Sequence, residues 1–204
     1  TLIRQTLQSN NPPPLFTWWS GFRMEDIVKS GTVADLTEEW ENFYIPEGIN
    51  PNLAEAFSFE GKVYAVPLNV SYWNVFYNKK VFDQYGLKEP KTWDDFINIL
   101  ETLKQNGVTP IALPFQGWVN FTWFAELLAK YDPDLYNDLM VGKAAYTDPG
   151  VVEVMKIFKD MMEKGYFSKP GQLDTTMLQD IVQGKVAMLY LGQWYNANMI
   201  QAEL

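Results

Sequence analysis

Gln183-Gly184-Lys185-Val186-Ala187-Met188-Leu189-Tyr190-Leu191-Gly192-Gln193-Trp194 packs a helix stop, a strand and a loop into one short stretch. A helix-like segment ends at Gln183-Gly184, residues 185–191 form an apolar, β-prone run, and Gly192-Gln193-Trp194 leads into a final helix. A short apolar run bounded by turn signals is a strand, and strands spaced by helices point to an α/β architecture.

The same alternation is predicted upstream. A strand over 108–113 is followed by a loop over 114–120 and a helix over 121–130. Asp148-Pro149 combines a cap with proline at the first helical position, and Val151, Met155, Phe158 and Met162 line one face of a helix that Gly165 ends. Thr92-x-x-Asp95 opens the clearest helix, with Trp93, Phe96, Ile97, Leu100 and Leu103 at helical spacing as far as Gly107. Asn78 caps a helix over 79–85, and residues 70–77 are too rich in β-branched and aromatic side chains to be anything but extended. Glu60-Gly61 marks a hairpin within 57–64, and Asn50-Pro51 starts a helix reaching Phe57. Nearer the N-terminus, a helix over 1–10 is stopped by Asn11-Pro12-Pro13-Pro14. A buried strand over 15–19 comes next, ending at Ser20-Gly21, and then a helix over 23–30. The expectation is an α/β fold with largely parallel sheets, divided by the extended crossing 69–74.

Composition excludes several kinds of chemistry. The 204 residues are 47% apolar and 20% charged, with no cysteine for a disulfide scaffold. The chain has no histidine, which removes the Ser-His-Asp triad, the Cys-His pair, the His-rich zinc site and the usual general base near neutral pH. Sixteen basic against 25 acidic residues give a net charge of −9, which repels phosphate backbones, so nucleic acid is not an expected partner. No apolar run approaches the ~18 residues of a membrane-spanning helix. The chain opens within a helix-like run and not with a signal peptide, as expected of a mature or partial chain.

The compositional excess is aromatic, at 16% with 8 tryptophans. Core filling accounts for most of these rings, including Trp93 on a helix face. It accounts less well for tryptophans in loops at strand ends, where an α/β sheet binds its ligands. Those places are Trp19-Ser20-Gly21, residues 69–73, Gln116-Gly117-Trp118 and Gly192-Gln193-Trp194. Indoles beside amides and hydroxyls suit a sugar, whose C–H face lies on an aromatic ring while its hydroxyls take amide partners. A cation held in an aromatic cage is the competing ligand class. An amino acid would call for a bidentate arginine, and Arg4 and Arg23 are the only two. Arg23 is either a solvated surface residue or a donor to a ligand hydroxyl. The acid pairs Asp94-Asp95, Glu38-Glu39 and Asp132/Asp134, with Asp148, are better explained by helix capping or solvation than by glycoside hydrolysis. Neither a phosphate-cradling glycine loop nor a nucleophile elbow is present.

Gly61-Lys62-Val63-Tyr64-Ala65-Val66-Pro67, followed by the run from Tyr72 to Phe82, resembles the extracellular sugar-binding proteins of bacterial ABC importers, the family that includes maltose-binding protein. Four further stretches are similar in the same order. They are Asn11-Pro12-Pro13 before Trp19, Pro90-Lys91-Thr92-Trp93-Asp94-Asp95-Phe96, Asp132-Pro133-Asp134, and Gln183 to Met188 leading to Gly192-Gln193-Trp194. The resemblance implies a type II periplasmic-binding-protein-like fold, two lobes joined by a hinge, with this chain covering part of it. Residues 1–69 would belong to the first lobe, 70–74 to a hinge crossing and 75–204 to the second lobe. It further implies a monomeric, extracellular or periplasmic receptor, lipid-anchored through a segment preceding this chain. Such a receptor has no catalytic residues, metal or cofactor, and it delivers a mono- or oligosaccharide to membrane permease subunits. Trp194 would stack on the sugar ring, with Trp19, Ser20, Arg23, Asn69, Ser71, Tyr72, Gln116, Trp118 and Asn120 in ligand-contacting places. A carbohydrate-acting enzyme using paired carboxylates, or a carbohydrate-recognition module unconnected with transport, are the alternatives.

Overall fold

The structure, a computed structural model, describes residues 2–115, 117–171 and 175–201, leaving aside the side chains of Trp118 and Thr175. The chain divides into two compact units, Thr1–Val70 with Met140–Lys143, and Ser71–Leu139 with Ala144–Leu204.

In the first unit, helices α1 (Leu2–Leu7) and α2 (Phe22–Val28) are followed by a short turn α3 (Thr37–Glu39), which widens into a π-helical turn over Trp40–Tyr44. Asn50 caps a 3-10 helix over Pro51–Phe57 by accepting from the Asn52 amide. Strands β1 (Ser58–Phe59) and β2 (Lys62–Val63) form the expected hairpin. Its turn places Glu60 at φ 51 and Gly61 at φ 78, the pair of left-handed residues that a tight hairpin turn requires. Trp40 is buried, and its indole N–H donates to the Ala65 carbonyl at 2.9 Å. Lys62 and Thr37 both bond the Asp35 carboxylate and hold its pKa at about 2, tying the hairpin to α3.

Residues 15–19 do not form the predicted buried strand. Leu15 is 88% exposed and no strand pairs with the segment, so its apolar character has no sheet to enter. The strict alternation of helix and strand therefore fails before residue 58.

The second unit is layered, with helices on both faces of one sheet. Strand β3 (Trp73–Tyr77) leads into α4 (Lys79–Gln84), capped by Asn78, whose side chain accepts from the Val81 amide and donates to the Ile181 carbonyl at 2.6 Å. Helix α5 (Trp93–Gln105) opens with a complete capping box between Thr92 and Asp95. Then come β4 (Thr109–Ala112), a 3-10 turn over Gly117–Phe121, α6 (Thr122–Tyr131), α7 (Pro133–Met140), α8 (Pro149–Glu163), α9 (Thr175–Val182), β5 (Val186–Gly192) and α10 (Asn196–Gln201). Helix α7 is not among the helices predicted from the sequence, although Asp132 does the helix capping expected of it. Asp132 caps it by accepting from the Leu135 amide, ahead of Pro133. Asp148, expected to cap α8 in the same way, makes no side-chain bond to that helix, because its carboxylate accepts from the Ala145 amide instead.

The sheet order is β3-β5-β4. Strand β5 runs parallel to β4 but antiparallel to β3, so the sheet is mixed and not largely parallel. Every residue of β5 is buried. Met188 and Tyr190 join one apolar cluster, with α4, α5, α6 and α8, while Leu189 and Leu191 join another, with α9 and Met199 of α10. A strand covered on both faces is apolar without alternation, as the sequence of β5 is.

Two helix faces differ from expectation. Helix α8 buries Val151, Val154 and Met161, leaving Met155 and Met162 about half exposed, because the buried stripe takes the alternative of the two residues available at each helical step. Trp93 is not a core residue. It stands at the first position of α5, 47% exposed, against Phe96, while Ile99, Leu100 and Leu103 carry the buried face.

Leu100→Ala should therefore cost about 2–5 kcal/mol of unfolding free energy as a core truncation, and Trp93→Ala markedly less. Urea denaturation of the two variants checks the order, and an equal loss would contradict this placement of α5. Tyr166 is fully buried, and its hydroxyl donates to Glu101. Burial first, and the Glu101 carboxylate second, push its pKa up to about 12 from 10.0. A pKa raised on folding stabilises the protein below the unfolded value and loses that contribution as pH rises through the folded one. Stability should thus decline between pH 10 and about 12, and Tyr166→Phe should flatten that decline in urea titrations. An unchanged slope would refute it.

Candidate functional site

The carboxyl end of β5 meets the amino end of β3. Trp73 pairs with Gly192, and the ladder extends one step further, with the Gln193 amide donating to the Tyr72 carbonyl at 2.8 Å. Residues directly opposite in a sheet share a face, and so do residues two apart along a strand. Trp73, Val75, Tyr190 and Gly192 therefore point to the same side. Gly192 has no side chain to place there. The Trp194 ring, on the 3-10 turn Gln193–Tyr195, fills the vacancy: a Cβ built on Gly192 would overlap its Cζ3, Cη2 and Cε3 atoms.

An aromatic row results. Trp194 stands edge-to-face on Trp73 at 5.1 Å between centroids and an 86° angle, and Trp73 lies tilted on Tyr190 at 5.4 Å. Tyr190 in turn packs on Trp123 at 5.2 Å, and Trp123 on Phe167 at 5.4 Å. The row runs from Trp194, 47% exposed, inward to buried Trp123. The Tyr190 hydroxyl donates to Glu126 Oε2 on α6 at 2.7 Å, and burial followed by that carboxylate pushes its pKa well above the usual tyrosine range. It is a neutral structural donor and not a proton-transfer group at physiological pH.

Of the candidate residues, Tyr72 takes part in this pairing through its backbone carbonyl, and Trp194 follows the Gln193 that bonds it. Asn69, Ser71 and Tyr72 are exposed in the extended segment before β3. Trp73, now central to the row, was visible as a residue of the 69–73 stretch, but its sequence does not distinguish it from a core ring. Asn120 is exposed on the 3-10 turn Gly117–Phe121 that follows β4. Gln116 and the side chain of Trp118 lie outside the described residues.

Trp19, Ser20 and Arg23 belong to the first unit and are exposed there. Trp19 does not end a strand, contrary to expectation. It packs edge-to-face on Trp18 at 4.9 Å, and the Arg23 guanidinium lies 4.9 Å from the Trp19 ring centre. The Trp18 indole N–H donates to the Arg23 carbonyl, fixing this group to the first turn of α2. Arg23 is thus an exposed cation lying over an indole. Among the described residues no three acidic side chains converge where they could hold a metal ion, and no helix is long and apolar enough to cross a membrane.

If the Tyr190–Glu126 bond holds the base of the aromatic row, Tyr190→Phe leaves a half-buried carboxylate short of one donor. The expected loss is about 1–2 kcal/mol of stability in urea denaturation. An isoenergetic substitution would show that Glu126 is satisfied by water and by Lys130, whose ammonium lies 4.0 Å from its Oε1.

Comparison with known proteins adds the family. Residues 1–204 match the model for bacterial extracellular solute-binding proteins. The chain is 27% identical over 217 residues to a probable sugar-binding periplasmic protein of Brucella suis biovar 1, an alignment covering 99% of this chain and 48% of that protein. It is 36% identical over 140 residues to the diacetylchitobiose binding protein DasA of Streptomyces coelicolor, covering 66% of this chain and 32% of the relative. Among solved structures, a chitin oligosaccharide binding protein matches with a TM-score of 0.76 at 26% identity, over 97% of this chain and 51% of that one. A structure from work on xylan utilization by Caldanaerobius polysaccharolyticus matches with a TM-score of 0.78 at 26% identity, over the same shares. The chain spans about half the length of the curated relatives it matches, and its fold is part of the type II periplasmic-binding-protein architecture. With the match running the whole length of the sequence, the chain belongs to the family of bacterial extracellular solute-binding proteins.

Proposed function

We propose that the complete protein is a receptor that binds a mono- or oligosaccharide reversibly, leaves it chemically unchanged and delivers it to the permease subunits of an ABC importer. One observation carries this reading above the others: a half-exposed indole, Trp194, stands at the carboxyl end of a buried strand in edge-to-face contact with a second indole. An indole offers a pyranose an apolar surface, and the exposed amides and hydroxyls of Asn69, Ser71, Tyr72 and Asn120 are the proposed partners for its hydroxyl groups. The names of the relatives, sugar-binding and diacetylchitobiose-binding, support the ligand class. Trp19, Ser20 and Arg23 of the first unit, with Gln116 and Trp118, belong to the same proposed contact set.

The family is extracellular or periplasmic. Lipid anchoring, a monomeric state and indifference to nucleic acid are parts of the proposal, the last supported by the net charge of −9. The boundary of the two units at Val70 and Ser71 supports an assignment of residues 70–74 as a hinge crossing between lobe portions 1–69 and 75–204.

Calorimetry of the complete protein with raffinose, N,N′-diacetylchitobiose and galactose tests the reading. Trp194→Ala should weaken binding of whichever sugar is accepted by about 1–3 kcal/mol, the range of a buried aromatic anchor, with the fold intact. Unchanged affinity would remove Trp194 from the site. Product analysis after prolonged incubation should return the sugar intact, and cleavage would favour a carbohydrate-acting enzyme.

A further inference from the structure

Gly192 is not a conformational glycine. Its φ of −72° and ψ of 152° are ordinary extended values open to any residue, so the backbone gives no reason for the absence of a side chain. The reason lies in space. Trp194, two residues on, folds back over the end of β5, and its six-membered ring occupies the place a Cβ on Gly192 would take. The same place is bounded by Trp73, which is the cross-strand partner of Gly192 and the edge-on neighbour of Trp194. The ring is thus seated over a bare Cα and in edge-to-face contact with a second indole.

We propose that Gly192 is a positioning residue for ligand binding: its missing side chain is what seats the half-exposed Trp194 indole beside Trp73, where it meets a carbohydrate. This rests on the reading of Trp194 as a sugar contact. The atoms that a side chain at 192 would strike are the far end of a rotatable side chain and not backbone. Relief therefore comes by swinging the ring away, with the fold retained. Gly192 acts through Trp194 and does not itself touch the sugar.

The test uses the complete protein with Gly192→Ala, Trp194→Ala and the double substitution. Two indoles in contact at a steep angle give an exciton couplet in far-ultraviolet circular dichroism, which needs no ligand. Gly192→Ala should lose the same couplet that Trp194→Ala loses, and calorimetry with raffinose and N,N′-diacetylchitobiose should show affinity reduced about ten-fold, equivalent to 1.4 kcal/mol. In the Trp194→Ala background the clash no longer exists, so adding Gly192→Ala should change neither affinity nor thermal midpoint. That background also provides a folded control should Gly192→Ala alone be unstable.

Retention of couplet and affinity in Gly192→Ala would overturn the proposal. An equal drop in thermal midpoint in both backgrounds would also overturn it, by showing an effect on the strand and not on the ring. If Gly192→Ala erases the couplet while Trp194→Ala leaves sugar affinity unchanged, the ring is seated as described but the ligand reading fails, and with it the role of Gly192 in binding.

Discussion

The antiparallel ladder between Trp73–Tyr77 and Val186–Gly192 fixes by its register which side chains face each other at the end of the sheet. A shift of one residue would turn every side chain of β5 to the opposite face. Such a slip is opposed by burial on both sides, since Met188 and Tyr190 are committed to one apolar cluster, and Leu189 and Leu191 to the other. Locking that register sets Trp73 opposite Gly192, puts Tyr190 on the same face and within reach of Glu126, and leaves the gap that Trp194 fills. The site's geometry is therefore a consequence of core packing several residues away.

Four titratable groups with displaced pKa values have structural roles. Tyr190 and Tyr166 are buried donors to Glu126 and Glu101, Asp35 joins the hairpin to α3, and Asp95 closes the capping box of α5. Their charges or protons are committed to holding elements together. At the end of β5 stands a half-exposed indole, whose chemistry is one of contact and not of proton transfer. This agrees with membership of a solute-binding family.

Strong local signals made much of the second unit legible in the sequence. Asn78, Thr92 with Asp95, and the glycines at 86, 107, 165 and 184 mark helix ends whose physics is local, and the structure places helix boundaries at or within a few residues of them. The hairpin at Glu60-Gly61 was legible for the same reason. What was not legible depends on partners. Residues 15–19 have the composition of a strand but no neighbour to pair with, and β3 gives no indication that it runs antiparallel to β5. On α8 the sequence offers apolar residues at both 154 and 155 and at both 161 and 162, and only the neighbouring helices decide which are buried. Gly192-Gln193-Trp194 was recognisable as a candidate motif. That Gly192 serves as the seat of Trp194 depends on where the ring folds, which spacing does not encode.

The central claim is that a carbohydrate lies against the Trp194 indole. Fluorine NMR of the complete protein labelled with 5-fluorotryptophan tests it directly, with the Trp194 resonance assigned by its loss in Trp194→Phe. On titration with a sugar whose binding calorimetry establishes, the account predicts that the Trp194 resonance shifts in step with occupancy. Saturable binding that leaves this resonance in place would contradict it.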